Sequence, residues 1–414
     1  MFRKSIFTMI LSVLVLPSVA FAGVFDIYLE TAGSSYSQSF SDFESVIDDL
    51  DLDQMEKNLS GYTETSAVRG YIDFRGIDIN LSAAAGDTAI VLSIPAIGIS
   101  ETFSGLDRDA SIDQIEDWLK DNGDGVMSKL MEELAASTAT DPVAGNPTSA
   151  QSRMVSMDYD YAVNSDGAIE MNSVGAGSGL NANMVSIFAR YSNYDLDGVS
   201  SKTYALPLAY TIKFNNSKNS LSIRVPISVI NVDGSEAYNA GLGLGFTYFV
   251  NDSWSLVPAI GYTAVGSIDL ASAAQLVSGS LTSSYAFSLD KYTLTMGNMV
   301  GYYKTIPFSY QDYTVDTDIK NTVFRNGLNL NIPSDGLAKG TSFEIFVTDT
   351  RYLGSELYVD QYNEVGLSYG FAKIKQKDTK GGKVKNIMRK VRLGFTYLFA
   401  KDVSGYSVNF GFSF

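Results

Sequence analysis

The final ten residues alternate without a break, with Tyr406, Val408, Phe410, Phe412 and Phe414 on one face and Gly405, Ser407, Asn409, Gly411 and Ser413 on the other. A period of two gathers large apolar side chains on one side of a pleated strand and small or polar ones on its reverse. The same pattern recurs from about residue 183. Leu206, Leu208, Tyr210, Ile212 and Phe214 alternate with small or polar residues, and Leu221, Ile223, Val225, Ile227 and Val229 follow after the turn-forming stretch 215–219. Leu242 to Val250 leads through Asn251-Asp252-Ser253 into Trp254, Leu256, Ile260 and Tyr262, the signature of a hairpin. Further runs lie at 281–287, 292–296, 324–332, 343–347, 365–371 and 391–399. Counted from Val185–Tyr191 to the end, they predict twelve strands.

Many runs reach about ten residues, the length a tilted strand needs to cross the hydrocarbon, whereas strands of soluble sheets are mostly about five or six. An even strand number returns both ends of a barrel to one side of a membrane. With that side periplasmic, the connections near 215–219, 251–253, 289–291, 333–339 and 378–382 are inner turns, and the stretch from Lys304 to Asp318 is an outward loop. The connection at Lys401 to Ser404 is also outward, though short. The expected fold is therefore an all-β transmembrane antiparallel barrel of twelve strands, or fourteen if one further hairpin joins it.

That hairpin is read from Met154–Val163, the turn Asn164-Ser165-Asp166-Gly167 and Ala168–Gly177, and it is placed outside the barrel as plug or linker. Upstream, Phe40–Lys57 and Ser111–Ala136 show helical spacing with acidic faces, while Val68–Leu81 and Thr88–Ile99 read as strands, so a small acidic α+β domain is expected. No helix is read immediately before the first barrel strand. The expected division is a signal peptide over 1–22, the acidic domain over 23–137, a linker or plug over 138–182 and the barrel over 183–414.

The N-terminus supplies the compartment. Arg3 and Lys4 precede an apolar run from Ile6 to Leu16, and Ala20-Phe21-Ala22 forms a cleavage site before Gly23. Nowhere else do about eighteen apolar residues run together, so any membrane crossing is made by strands. Charge separates the two parts: residues 23–150 hold 24 acids and 6 bases, and residues 151–414 hold 22 of each.

Two absences narrow the chemistry. Without cysteine there are no disulfides, thiolate metal sites or cysteine nucleophiles, and without histidine the usual general base of serine-hydrolase barrels is missing. Carboxylate-only catalysis remains formally open, but nothing singles out two of the 46 acids. No enzymatic activity, catalytic residue, metal or cofactor is expected. Asp121-Asn122-Gly123-Asp124-Gly125 lacks the spacing of a calcium loop and reads as a break between two helices. Gly241, Gly243 and Gly245 lie inside a strand pattern and do not form a phosphate-binding loop.

Parity places Arg190, Arg224, Arg325, Glu344, Glu364, Lys390 and Arg392 between lipid-facing neighbours, hence in the lumen. They either pair with one another and brace a filled barrel, or line a water-filled, anion-leaning pore. The basic stretch Lys373–Arg392 belongs to a hairpin around Lys380-Gly381-Gly382 and is read as a solvated turn rather than a nucleic-acid patch.

The alternation from Tyr406 to Phe414, with the hairpin around Phe343–Gly366 whose tip is read at Thr348-Asp349-Thr350-Arg351-Tyr352, resembles the autotransporter-type outer-membrane β-barrel, in particular solitary versions without a long repetitive passenger. The resemblance implies insertion by the barrel-assembly machinery, which reads the last strand through Tyr406, Val408, Phe410, Phe412 and Phe414. It also implies residence in the outer membrane of a Gram-negative bacterium, with lipid and lipopolysaccharide as surroundings. The chain is expected to be a monomer. Two functions follow as expectations: a non-enzymatic barrel that anchors or exports its own N-terminal domain, or a transport channel gated or plugged by it. A surface adhesin or receptor is a third.

Overall fold

The computed structural model describes residues 24–31, 33–42, 45–46, 49, 57–63, 65–163, 184–214, 217–310, 313–371 and 391–413. The signal peptide, the 168–177 arm of the extra hairpin, the 378–382 turn, Lys390 and Phe414 lie outside those residues.

Six strands come first: β1 (Phe25–Thr31), β2 (Ser34–Phe40), β3 (Val68–Phe74), β4 (Ile77–Ala83), β5 (Ile90–Ile94) and β6 (Ile99–Phe103). They form an antiparallel sheet in the order β2-β1-β3-β4-β5-β6. Phe25, Ile27, Leu29, Ile72 and Phe74 alternate onto its buried face. Helix α1 (Arg108–Ser137) covers that face with Val126, Leu130 and Leu134. Asp107 caps the helix, accepting from the Ala110 N–H at 2.8 Å.

The expected break at Asp121–Gly125 does not occur, because α1 runs through it. Each glycine costs about 1 kcal/mol in a helix interior. The second half of α1 recovers that cost by burying Val126, Leu130, Met131 and Leu134, and Asn122 donates to the Trp118 carbonyl across the weak point.

A second helix, α2 (Ala150–Val163), precedes the barrel. It replaces the strand expected over Met154–Val163. Met154, Val155, Tyr159, Ala162 and Val163 are buried together, a spacing that suits 3.6 residues per turn and not two.

Next come β7 (Met184–Leu196), β8 (Val199–Ala205), β9 (Leu208–Lys213), β10 (Ser220–Val225), β11 (Ile227–Val232), β12 (Ser235–Phe249), β13 (Trp254–Ser267), β14 (Ser272–Leu289) and β15 (Tyr292–Ile306). A small hairpin of β16 (Phe308–Tyr310) and β17 (Tyr313–Val315) stands apart from the main sheet. The series ends with β18 (Lys320–Pro333), β19 (Thr341–Gly354), β20 (Gln361–Phe371), β21 (Val391–Ala400) and β22 (Val403–Ser413).

Every neighbouring pair is antiparallel, and β22 pairs with β7, closing the sheet. Proline removes a donor and interrupts two strands: Pro207 separates β8 from β9, and Pro226 separates β10 from β11. Both halves of each pair keep their partners, β7 for β8 and β9, β12 for β10 and β11. Each interrupted pair is therefore one crossing, and the barrel has twelve strands. The hairpin tip expected at Thr348–Tyr352 is instead strand, since β19 continues to Gly354.

Hydropathy is inverted relative to a water-soluble sheet. Leu242, Ile260, Leu281, Leu328, Ile345, Leu367, Leu393 and Phe410 are exposed on the outside, while Thr263, Thr282, Thr350, Thr396 and Ser407 are buried inside. Ile260 is 61% exposed and Leu393 is 56% exposed. Leaving such a side chain in water forfeits roughly 1.5–3 kcal/mol each. A closed ladder with a continuous apolar belt is the form in which strands cross a bilayer, because no backbone group is left unpaired at an edge.

Candidate functional site

The lumen holds α2, packed against β13, β14 and β15. Three wall glycines, Gly261, Gly297 and Gly327, make room for it. A Cβ at Gly297 would stand 2.4 Å from Val163 and 2.6 Å from the Tyr159 hydroxyl, and one at Gly327 would stand 2.5 Å from that hydroxyl. Tyr159 therefore lies flat in a groove that any side chain would fill.

Two aspartates on α2 organise the charges. Asp158 Oδ1 pairs with Arg224 Nη1 at 2.8 Å, and its Oδ2 accepts from the hydroxyls of Tyr303 at 2.9 Å and Ser280 at 3.1 Å. The Arg224 and Asp158 side chains are 1% and 3% exposed. Gly243 lies directly opposite Arg224 on the neighbouring strand, and a Cβ there would reach the guanidinium at 3.2 Å, so this strand glycine makes room for the arginine. Asp160 faces the other way, at 3.0 Å from Arg190 Nη2 and 3.9 Å from Arg325 Nη2.

The remaining wall charges pair across strands. Arg325 meets Glu364 at 2.6 Å, donates to Thr350 at 2.8 Å and stacks on the Tyr159 ring at 5.0 Å. Arg392 meets Glu344 at 3.2 Å, and Ser368 donates to the same carboxylate. Arg190 also donates from Nε to Asn409 at 2.7 Å. Of the seven residues read as luminal, Arg190, Arg224, Arg325, Glu344, Glu364 and Arg392 are engaged inside the barrel, and Lys390 lies outside the described residues. Asp158 and Asp160 are the partners that the strand reading of 154–163 missed. Their signal was the helical spacing of the apolar residues around them.

Because α2 lies against one side, a cavity of about 250 Å³ remains on the other, bordered by Arg153, Arg190, Asp160, Tyr362, Glu364 and Arg392. Among the described residues, no group of three or more His, Cys, Asp or Glu side chains is placed to hold a metal ion.

The chain upstream of α2 leaves the barrel at the end opposite Met184 and Ser413. Residue Arg75, at the tip of the β3–β4 hairpin, enters that end, donating to the Leu270 carbonyl at 3.1 Å and pairing with Asp141 at 3.1 Å, with both side chains 0% exposed. Burial pushes the Asp141 carboxyl up and the Arg75 guanidinium down, each against the pull of its partner. The loops of the same end grip α1 and its connector. Backbone N–H groups of Thr314 and Asp316 donate to Asp124 and Ser128, and those of Tyr358 and Val359 donate to the Ala135 and Gly145 carbonyls. Ala271, in the β13–β14 turn, joins the core beneath the six-stranded sheet.

Helix α2 therefore lies inside a closed twelve-stranded barrel and leads upstream to a folded segment at one rim. The chain resembles an autotransporter-type outer-membrane barrel. Solved structures similar to it include the β-domain of the Bordetella autotransporter BrkA, at 13% identity and TM-score 0.41, covering 56% of this chain and 99% of that one. The translocator domain of the autotransporter NalP from Neisseria meningitidis is similar at 12% identity and TM-score 0.41, covering 62% and 99%. The KdgM porin is similar at 12% identity and TM-score 0.32, covering 55% and 99%. No protein-family model and no curated protein matches the sequence.

On the outer face of the last strand, Tyr406, Val408 and Phe410 point to the lipid side, 38%, 38% and 44% exposed. Phe412 belongs to β22.

Proposed function

We propose that this protein is a non-enzymatic, autotransporter-like anchor of the Gram-negative outer membrane, holding its own acidic N-terminal domain on the outer rim of its barrel. The observation that carries this reading is the course of the chain: six-stranded sheet and α1 at one end, α2 through the lumen, then β7 starting at the other end. A chain that enters its own barrel from the side where the barrel's termini lie, and emerges opposite, has the topology left by moving an N-terminal segment outward.

In this reading residues 1–22 are removed, 23–137 are the displayed domain, 138–182 are connector and plug, and 183–414 are a monomeric barrel. The final strand, from Tyr406 to Phe414, is the part read by the barrel-assembly machinery, and lipid and lipopolysaccharide surround the belt. The buried ion pairs hold α2 in place after transit. They belong to a filled barrel, because each of Arg190, Arg224, Arg325 and Arg392 already has a carboxylate partner.

A gated channel is the second reading, and the cavity beside α2 favours it. Proteinase K applied to intact cells, with planar-bilayer recording of the purified protein, separates the two. The anchor reading expects fragments of 23–150 to be lost from intact cells and the full-length barrel to be closed to ions. A stable anion-selective conductance, lost on neutralising Arg190 or Arg392 beside the cavity, supports the channel instead.

A further inference from the structure

The charges around the cavity beside α2 do not cancel. Arg153, Arg190, Arg325 and Arg392 border it, against Asp160, Glu344 and Glu364. All three carboxylates are taken, Asp160 by Arg190, Glu364 by Arg325 and Glu344 by Arg392. One cation is left over. Arg153, in the first turn of α2, makes no ion pair and no side-chain hydrogen bond among the described residues. The acid on its own face of the helix is Asp160, seven residues on and ~10 Å along the axis, and Arg190 holds it. What acts on Arg153 instead is the like charge of Arg190.

The wall at this end of the cavity has an unmet polar group as well. Arg190 and Ser192 lie two residues apart on the inner face of β7, and Thr203 of β8 stands directly opposite Ser192. Ser192 and Thr203 are both buried beside the cavity, and the Thr203 hydroxyl has no hydrogen-bond partner. A guanidinium facing a second guanidinium, with an orphaned hydroxyl in the adjoining wall, is a place short of one negative charge and of acceptor oxygens.

We propose that a small oxyanion, of the size of inorganic phosphate, occupies this end of the cavity, held by Arg153 and Arg190 with the Thr203 hydroxyl donating to it. The charge suits it, because four cations and three carboxylates leave an excess of one that a monoanion cancels. The donors suit it too. Arg190 spends Nε on Asn409 and Nη2 on Asp160, which leaves Nη1 to donate, and the whole Arg153 fork is free to meet two oxygens at once. Space is ample, since the cavity of about 250 Å³ is several times the ~30 Å³ share of one water. Bound there, the anion ties the first turn of α2 to β7, a fastening separate from the Asp158 and Asp160 pairs.

The site needs only α2 in the lumen, so its failure would leave the sidedness of the barrel standing. Equilibrium dialysis of the full-length protein in detergent against radiolabelled phosphate reads it directly, with sulfate, acetate and chloride as competitors. One saturable site per chain is expected, displaced more readily by sulfate and acetate than by chloride. Arg153→Gln should weaken phosphate binding roughly tenfold or more, Thr203→Val by a smaller factor, and Arg153→Lys should keep most of it. Lys401→Gln, which removes a cation 94% exposed in the β21–β22 turn, should bind as the unaltered protein does. Phosphate should also raise the temperature of the heat-modifiable gel shift in the unaltered protein and not in Arg153→Gln. The same gels show that each variant is folded. Absence of saturable binding overturns the proposal, as does unchanged affinity in the folded Arg153→Gln variant. Chloride displacing phosphate as well as sulfate does also overturns it, because the site then selects charge alone and not an oxyanion.

Discussion

Asp158 is the residue on which the plug turns. It receives one guanidinium and two hydroxyls in a site with almost no water, so removing it strands the Arg224 charge inside the barrel. Breaking a buried pair from one side costs about 3–5 kcal/mol, whereas replacing both partners with apolar groups of similar volume is often neutral. Asp158→Ala should therefore raise ion conductance and lower the temperature at which the barrel unfolds in gel-mobility assays. Asp158→Leu combined with Arg224→Met should recover most of the unfolding temperature. If the single variant matches the unaltered protein in both assays, Asp158 does not secure the helix. Gly297 tests the same seat from the wall side. A methyl group there meets Val163 and Tyr159 at under 3 Å, so Gly297→Ala should displace α2 and open the barrel, measured as conductance, while leaving the β14–β15 ladder intact.

Among the elements, strands and turns were legible in the sequence and α2 was not. Period-two alternation survives in a barrel because one face must meet lipid and the other must not, so the twelve crossings stand out in Leu242 to Phe246 or Leu393 to Phe399. The interrupted strands blurred only where Pro207 and Pro226 removed donors. Helix α2 was obscure because it meets a mixed wall, with Leu276 and Met299 among its apolar partners and Arg224 and Arg190 among its charged ones. It carries Ser152, Asp158 and Asp160 among its apolar residues, and a short mixed stretch of that kind imitates a strand. Likewise β1 and β2 escaped notice, since Ser34–Phe40 is mostly serine and gains its place by pairing with Phe25–Thr31. The luminal arginines were readable by parity; their partners on α2 depended on an element the pattern hid.

The six-stranded sheet carries a pH dependence of its own. Burial raises the pKa of Asp73, the Asp26 and Asp78 carboxylates directly across from it add to the rise, and the Gly76 N–H opposes it. A carboxyl whose folded value lies above its unfolded one contributes stability that is fully present below the unfolded pKa. That contribution is lost as pH rises through the folded pKa. The sheet should therefore resist urea better in mild acid than at neutral pH, with Trp118 fluorescence in the full-length protein as the readout and Trp254 in the barrel as the constant background. Asp73→Asn, permanently neutral and still able to accept from Gly76, should lose that part of the pH dependence. An Asn variant with the full acid stabilisation assigns the effect to other carboxylates.

For the molecule as a whole, the parts form one device: a lipid-facing hoop, a helix that fills it off-centre, and a sheet clasped at one rim through Arg75 and Asp141. Each part explains a feature of the others. Glycines in the wall admit the helix, aspartates on the helix neutralise the wall, and Thr314, Asp316, Tyr358 and Val359 in the loops of the same rim meet α1 and its connector. The sidedness of this arrangement is the central claim, and the absence of native cysteine makes it directly measurable. Leu106, 98% exposed in the turn before α1, and Lys291, exposed in the turn at the opposite end of the barrel, are changed singly to cysteine and treated on intact cells with a membrane-impermeant maleimide. The account predicts that Leu106→Cys is labelled at once and Lys291→Cys only after the outer membrane is permeabilised. Labelling of Lys291→Cys on intact cells, with Leu106→Cys protected, would contradict it.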